Sequence, residues 1–143
     1  MNRPLTAAFL WTLASVAHGQ DGCAPLLQFI AHSAPGPPLA PMASPVTCDQ
    51  ALSEDGSVQV FCYWGFPLRD PAAIDTADRF ARDILRCLPG AGPLPADSGV
   101  NHPDSYDLRR FRRDAVIISV SVKDKTALNR TLVFLRAEKA RGQ

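Results

Sequence analysis

Hydrophobic positions recur along this chain with two different periods, and the changes of period divide it into elements. Between Asp70 and Leu88 the apolar residues Ile74, Ala77, Phe80, Ala81, Ile84, Cys87 and Leu88 fall at helical spacing, which predicts one stripe turned to a core. Asp70 supplies an N-cap oxygen, Pro71 suits the first helical position, and Asp75 sits near the positive helix start. On the opposite side, Asp75 precedes Arg79 and Asp78 precedes Arg82 by four residues. That spacing predicts two ion pairs within a solvated helix face. Pro89-Gly90 ends the element.

Elsewhere the period is two. Val58, Val60, Cys62, Trp64 and Phe66 alternate with Gln59, Phe61, Tyr63 and Gly65, so the first set should face a core. A shorter run, Val46 to Cys48, lies before Glu54-Asp55-Gly56. A three-residue hairpin loop there, with Gly56 left-handed, would pair residues whose numbers sum to 110 and set Cys48 opposite Cys62. Tyr106 to Arg112, Ala115 to Lys123 and Arg130 to Ala137 read as three further strands. Their short connections, at Arg113-Asp114 and Asp124 to Asn129, favour an antiparallel meander. In the middle strand Val116, Ile118, Val120 and Val122 alternate with Ile117, Ser119 and Ser121, giving one buried face and one mostly polar face.

Cys23 to Ser33 reads as a short helix, with Pro25 in its first turn and Leu26, Leu27, Phe29 and Ile30 on one side. Ala34 to Pro45 carries prolines at 35, 37, 38, 41 and 45, the composition of an extended linker. Pro89 to Pro103 reads as a second Pro/Gly loop. The order predicts an α+β two-layer sandwich: a mixed or antiparallel sheet of about five strands with two helices on one face. Residues 20–143 suffice for one domain with one core.

The first nineteen residues change the setting. Arg3, the apolar run Pro4 to Val16 and the small residues of Ala17-His18-Gly19 have the layout of a signal peptide over residues 1–19. The run is too short for a permanent span, so no transmembrane anchor is expected after cleavage near Gly19-Gln20. Asp21-Gly22 before Cys23 argues against lipid attachment there. A secreted or periplasmic chain would fold in an oxidising compartment. The four cysteines stand 25, 14 and 25 residues apart, which matches neither zinc nor thioredoxin spacing and allows three disulfide connectivities. The hairpin register favours Cys48–Cys62. Cys23–Cys87 would then join the start of the first helix to the end of the second, if the helices lie antiparallel. Arginine outnumbers lysine twelve to three, usage that suits a GC-rich bacterial genome. In a eukaryote Asn129-Arg130-Thr131 would be a glycosylation sequon, in a bacterium a turn.

Charge is divided along the chain. From Gln20 to Asp107 eleven acids face four bases, and from Leu108 onward ten bases face three acids. Either the basic half presents a binding face or the halves pack together and neutralise each other. Arg109, Phe111 and Arg113 share one face of a strand, Arg110 and Arg112 the other. With His102 nearby, Arg109, Phe111 and Arg113 are the candidate binding residues. The duller reading is an edge strand defended by charge.

Asn101 to Asp107 gathers a histidine, a serine, a tyrosine and two aspartates. Residues so close in an extended chain rarely converge as nucleophile, base and orienter, and the segment is also ordinary turn chemistry, so no catalytic residue is assigned. His32 and His102 are too few for a histidine-rich site, and Asp104 with Asp107 is weak support for calcium, so no metal or cofactor is expected. The compartment and the near-zero net charge of +1 argue against nucleic acid.

The runs Cys62-Tyr63-Trp64-Gly65-Phe66-Pro67 with Arg69-Asp70-Pro71, Val100 to Arg109, Ser119 to Asp124 and Arg130 to Arg136 resemble small exported alphaproteobacterial proteins of uncharacterised function. The resemblance covers about the last two-thirds of the chain and implies export, with no activity or site to carry over. The sequence thus points to a secreted or periplasmic binding module with an arginine-rich strand. Its partner would be an envelope protein or an anionic envelope component. The alternatives are a small periplasmic hydrolase using residues 101–107, or an inhibitor or immunity-like envelope protein.

Overall fold

The structure, a computed structural model, describes residues 22–31, 46–52, 56–101 and 103–140. The expected signal peptide, the proline-rich linker, Glu54-Asp55 and His102 lie outside the described residues.

Alternation builds the first hairpin. Strands β1 (Val46–Leu52) and β2 (Val58–Pro67) pair antiparallel with Val46 opposite Trp64 and Cys48 opposite Cys62. Gly56 takes a left-handed φ of 77° between them, which a glycine adopts without steric cost. Val60, Cys62, Trp64 and Phe66 are all buried, and Cys48 is bonded to Cys62.

Helix α2 (Pro71–Cys87) starts where Asp70 Oδ1 accepts a hydrogen bond from the Ala72 amide at 2.9 Å. Its buried side is Ala73, Thr76, Ala77, Phe80, Ile84 and Cys87, and the Phe80 ring packs 4.6 Å from that of Trp64. Ile74, expected in this stripe, is instead 44% exposed. Successive helical residues are turned about 100° apart, and small Ala73 occupies the inward position, which brings the helix close to the sheet. The expected pairs Asp75–Arg79 and Asp78–Arg82 are not formed. Asp78 reaches across to Arg109 on the sheet, and Arg86 pairs with Asp83 at 2.8 Å. Helix α1 (Ala24–Ile30) buries Leu26 and Phe29 and is fastened to the end of α2 by the Cys23–Cys87 disulfide. Peptide mapping without reduction should recover Cys23 linked to Cys87 and Cys48 linked to Cys62, and a Cys23–Cys48 peptide would contradict the register.

After α2 the chain forms β3 (Gly92–Pro93), β4 (Asp97–Asn101), β5 (Asp104–Arg113), β6 (Val116–Lys125) and β7 (Arg130–Lys139). The sheet order is β1-β2-β7-β6-β5-β3, with β4 also paired to β5, and every pairing is antiparallel. Helix α2 therefore carries the chain over the sheet to its far edge, and the meander β5-β6-β7 returns to close against β2. Asp114 and Asn129 make the two meander turns with φ of 51° and 52°, a region that Asp and Asn tolerate better than most residues.

The architecture is α+β with both helices on one side, but the sheet has seven strands where about five were expected. The extra two lie in Pro89 to Pro103, which the sequence presented as loop. Gly99 stands opposite Tyr106, and a Cβ there would come within 2.6 Å of the tyrosine ring. The glycine makes room for an aromatic side chain in a paired strand. Gly99→Ala should force that ring aside and loosen the β4 edge, seen as faster amide exchange in residues 97–101.

Candidate functional site: the open face of the sheet

The inward residues of β2, β7, β6 and β5 form the core beneath the helices, and the alternate residues face the other way. Pairing aligns these in rows across the strands. Phe61, Arg136, Ser119 and Arg110 form one row, Tyr63, Phe134, Ser121 and Leu108 the next, and Gly65, Leu132, Lys123 and Tyr106 the third. No described helix covers them. Because β6 contributes only serines to the first two rows, the flanking side chains stand higher than the middle strand. The result is a trough of about 400 Å³ lined by Tyr106, Leu108, Ser119, Ser121, Lys123, Phe134 and Arg136, with Asp104 and Asp124 at one end.

The walls are aromatic and basic. Tyr63 and Phe134 have ring centroids 5.5 Å apart, and Lys123 Nζ lies 5.5 Å from the Phe134 centroid, within cation–π range. Among the described residues, none of Arg110, Lys123, Lys125 and Arg136 forms an ion pair. Burial beside its neighbours, and then the charges of Arg136 and Lys125, hold the Lys123 ammonium below its ordinary pKa. Arg110 reaches the Pro95 carbonyl oxygen with one terminal nitrogen at 3.4 Å, while its Nε is buried without a partner. The acids bordering the trough are already engaged. Asp104 accepts a hydrogen bond from the Thr126 amide, chiefly for which its pKa is lowered. Asp124 is held by Thr131, Ser105 and Arg69.

The residues singled out from sequence lie elsewhere. Arg109 and Phe111 are on the helix side, where β5 aligns them with Val120 and Ile118 of the core face. Phe111 is only 5% exposed, so it is a core residue and offers no surface to a partner. Arg109 pairs with Asp78 of α2 and with Asp107 at 3.0 Å. The hydrogen bond it donates to Asp78 is the main reason its pKa is raised. Here the basic and acidic halves of the chain neutralise each other. Arg113 is half exposed near the β5–β6 turn, 3.9 Å from Asp114, and His102 lies outside the described residues. Arg109→Ser should therefore cost about 1 kcal/mol of stability, a part-exposed ion pair being worth little more. It should leave any binding by the open face unchanged, and urea unfolding beside a binding isotherm checks both.

Of residues 101–107, Asn101 ends β4 opposite Asp104, which begins β5. The groups of this segment have separate employment. Ser105 donates to Asp124 at 2.8 Å, Tyr106 is bonded to Asp97, which raises its pKa, and Asp107 pairs with Arg109. Among the described residues no group of three or more His, Cys, Asp or Glu side chains could hold a metal ion, and no helix is long and apolar enough to cross a membrane.

No protein-family model matches the chain, and no curated protein matches it. The trough rests on its geometry alone. The trough does not show in the sequence because its residues come from three strands, and neither Ser119 nor Arg136 stands out within its own run. The available signal was the outward phase of β7, where Leu132 and Phe134 sit beside Arg136 on a face that should otherwise be polar.

Proposed function

We propose that this chain is an exported binding domain whose open sheet face holds an anionic component of the cell envelope. One observation carries it. On the helix side Arg109, Arg69 and Arg86 are each paired with a carboxylate and the unpaired Arg79 and Arg82 stand exposed on α2, whereas Arg110, Lys123, Lys125 and Arg136 gather on the open sheet face beside aromatic rings with no described ionic partner. Unopposed cations interleaved with aromatic rings favour a ligand that brings its own negative charge. Two disulfides and no free cysteine among the described residues suit an oxidising compartment. The leader-like residues 1–19 and the resemblance to exported alphaproteobacterial proteins support a periplasmic or secreted location. A hydrolase built on residues 101–107 gains nothing from the geometry, because the Ser105 hydroxyl is spent on Asp124.

Co-sedimentation with anionic against neutral phospholipid vesicles tests the proposal. The double variant Lys123→Gln/Arg136→Gln should lose about ten-fold in affinity for anionic vesicles, two exposed charge contacts being worth about 1–2 kcal/mol together. Arg79→Gln/Arg82→Gln removes the same charge from α2 and should change little. Equal losses in the two variants would mean that net charge, and no particular face, governs binding.

A further inference from the structure

We propose that the trough over Ser119 and Ser121 is a binding site for a single amphiphilic anion, a phosphate monoester with an apolar body. This rests on the open-face reading above and narrows it to one seat and one ligand chemistry.

The rows dictate the orientation. Arg136 and Arg110 flank Ser119 on the two neighbouring strands, so their backbones stand about 10 Å apart across two strand spacings. Arg136 lines the trough beside Ser119, whose hydroxyl has no hydrogen-bond partner among the described residues, whereas the Arg110 guanidinium is turned to the Pro95 carbonyl oxygen and adds its charge from outside the lining. A phosphate monoester brings three oxygens and close to two negative charges, and the Arg136 guanidinium fork with the Ser119 hydroxyl supplies three donors to match them. A carboxylate would leave part of that set unused.

One row along, about 7 Å away, the lining becomes Phe134, Ser121 and Leu108. An apolar body would lie here, shielded from water by the phenylalanine and the leucine. Lys123 closes the far end, but Asp104 and Asp124 border that end as well, so a dianion is better placed at the arginine row. Glu138 lies one row beyond Arg136 and forms no ion pair with it. The volume of about 400 Å³ falls in the range of small-molecule sites and is too small for a folded partner.

The test is calorimetric titration of the oxidised mature chain with octyl phosphate below its micelle concentration, beside octanol, inorganic phosphate and anionic vesicles. Octyl phosphate should bind at least ten times more tightly than octanol or inorganic phosphate. Equal affinity for octyl and inorganic phosphate would reduce the site to an anion seat and overturn the proposal, as would vesicle binding without octyl phosphate binding. If octyl phosphate binds and vesicles do not, the ligand is a free amphiphile. If the two compete, it is a lipid headgroup presented by a bilayer, and both results support the shared chemistry. Arg136→Gln, a surface change that leaves the core intact, should weaken octyl phosphate about ten-fold, and unchanged affinity would overturn the assignment. Ser119→Leu fills the trough and keeps every cation, so it should abolish octyl phosphate binding. If Ser119→Leu retains full affinity while Lys123→Gln/Arg136→Gln has lost the vesicles, the seat is wrong and the open-face reading stands. If neither variant changes anything, both fail.

Discussion

Phe80→Ala should cost about 3–5 kcal/mol, the range for truncating a fully buried aromatic side chain. Phe80 is 1% exposed, and its ring lies against Trp64, itself 1% exposed, at the centre of the layer between α2 and the sheet. Those two rings join α2 to β2 within the buried core. Ile84, Val133 and Leu135 are fully buried in the same core. With a total stability of about 5–15 kcal/mol for an ordinary domain, the variant would stand near unfolding at moderate temperature. Arg82→Ala, on the solvated side of the same helix, should change stability by less than about 0.5 kcal/mol. Urea unfolding followed by tryptophan fluorescence separates the two, and similar losses would place the buried stripe of α2 on the wrong side.

The parts of this fold that could be read from the sequence are those set by local geometry. A loop length and one glycine suffice to predict that Cys48 faces Cys62, because in a two-stranded hairpin register follows from the turn. The alternation of β6 likewise separates Val120 from Ser121 without reference to any other strand. What could not be read depends on which distant group wins a competition. Asp78 is four residues from Arg82, yet it bonds Arg109, whose guanidinium is held over the helix by β5 and also reaches Asp107. The alternation of β5 states that Arg109, Phe111 and Arg113 share a face, but only the alignment with Ile118 and Val120 states that the face is the inner one. Strand β4 was hidden for a third reason. Its Ser-Gly composition carries little strand propensity, and its pairing is secured by the ring of Tyr106 lying over Gly99. The trough is hidden in the sequence for the same reasons, since each of its walls belongs to a different strand.

Asp124→Asn should cost about 2–3 kcal/mol at neutral pH and progressively less as the solution is acidified. The carboxyl is 7% exposed and accepts hydrogen bonds from Thr131 Oγ1 at 2.8 Å, Ser105 Oγ at 2.8 Å and Arg69 Nε at 3.1 Å. It joins β5, β6 and β7 to the turn before α2. In that turn Arg69 holds a φ of 60° and donates its amide to Thr131 Oγ1 at 2.7 Å. A non-glycine residue in this region costs of order 1 kcal/mol and persists where its surroundings hold it. An asparagine keeps the shape but turns a donating amide toward donors, so at least one buried hydroxyl loses its acceptor, a loss of about 1–3 kcal/mol. Arg69 adds little to this, since its side chain is 66% exposed and the pair is screened by water.

The pH dependence follows from the same contacts. Burial works against the charge on Asp124, but the hydrogen bonds from Thr131, Ser105 and Arg69, with the Arg69 charge, outweigh it and hold the pKa below the usual aspartate value. A carboxyl depressed in the folded state stabilises fully above its unfolded pKa of about 3.9 and loses that contribution as pH falls through the folded pKa. The gap in unfolding free energy between wild type and Asp124→Asn should therefore be widest near pH 6 and shrink as the pH falls below the unfolded value, because a protonated aspartate resembles the amide. A gap that stays constant on acidification would show that Asp124 acts through its shape, and that its charge does not fasten the start of α2 to the sheet.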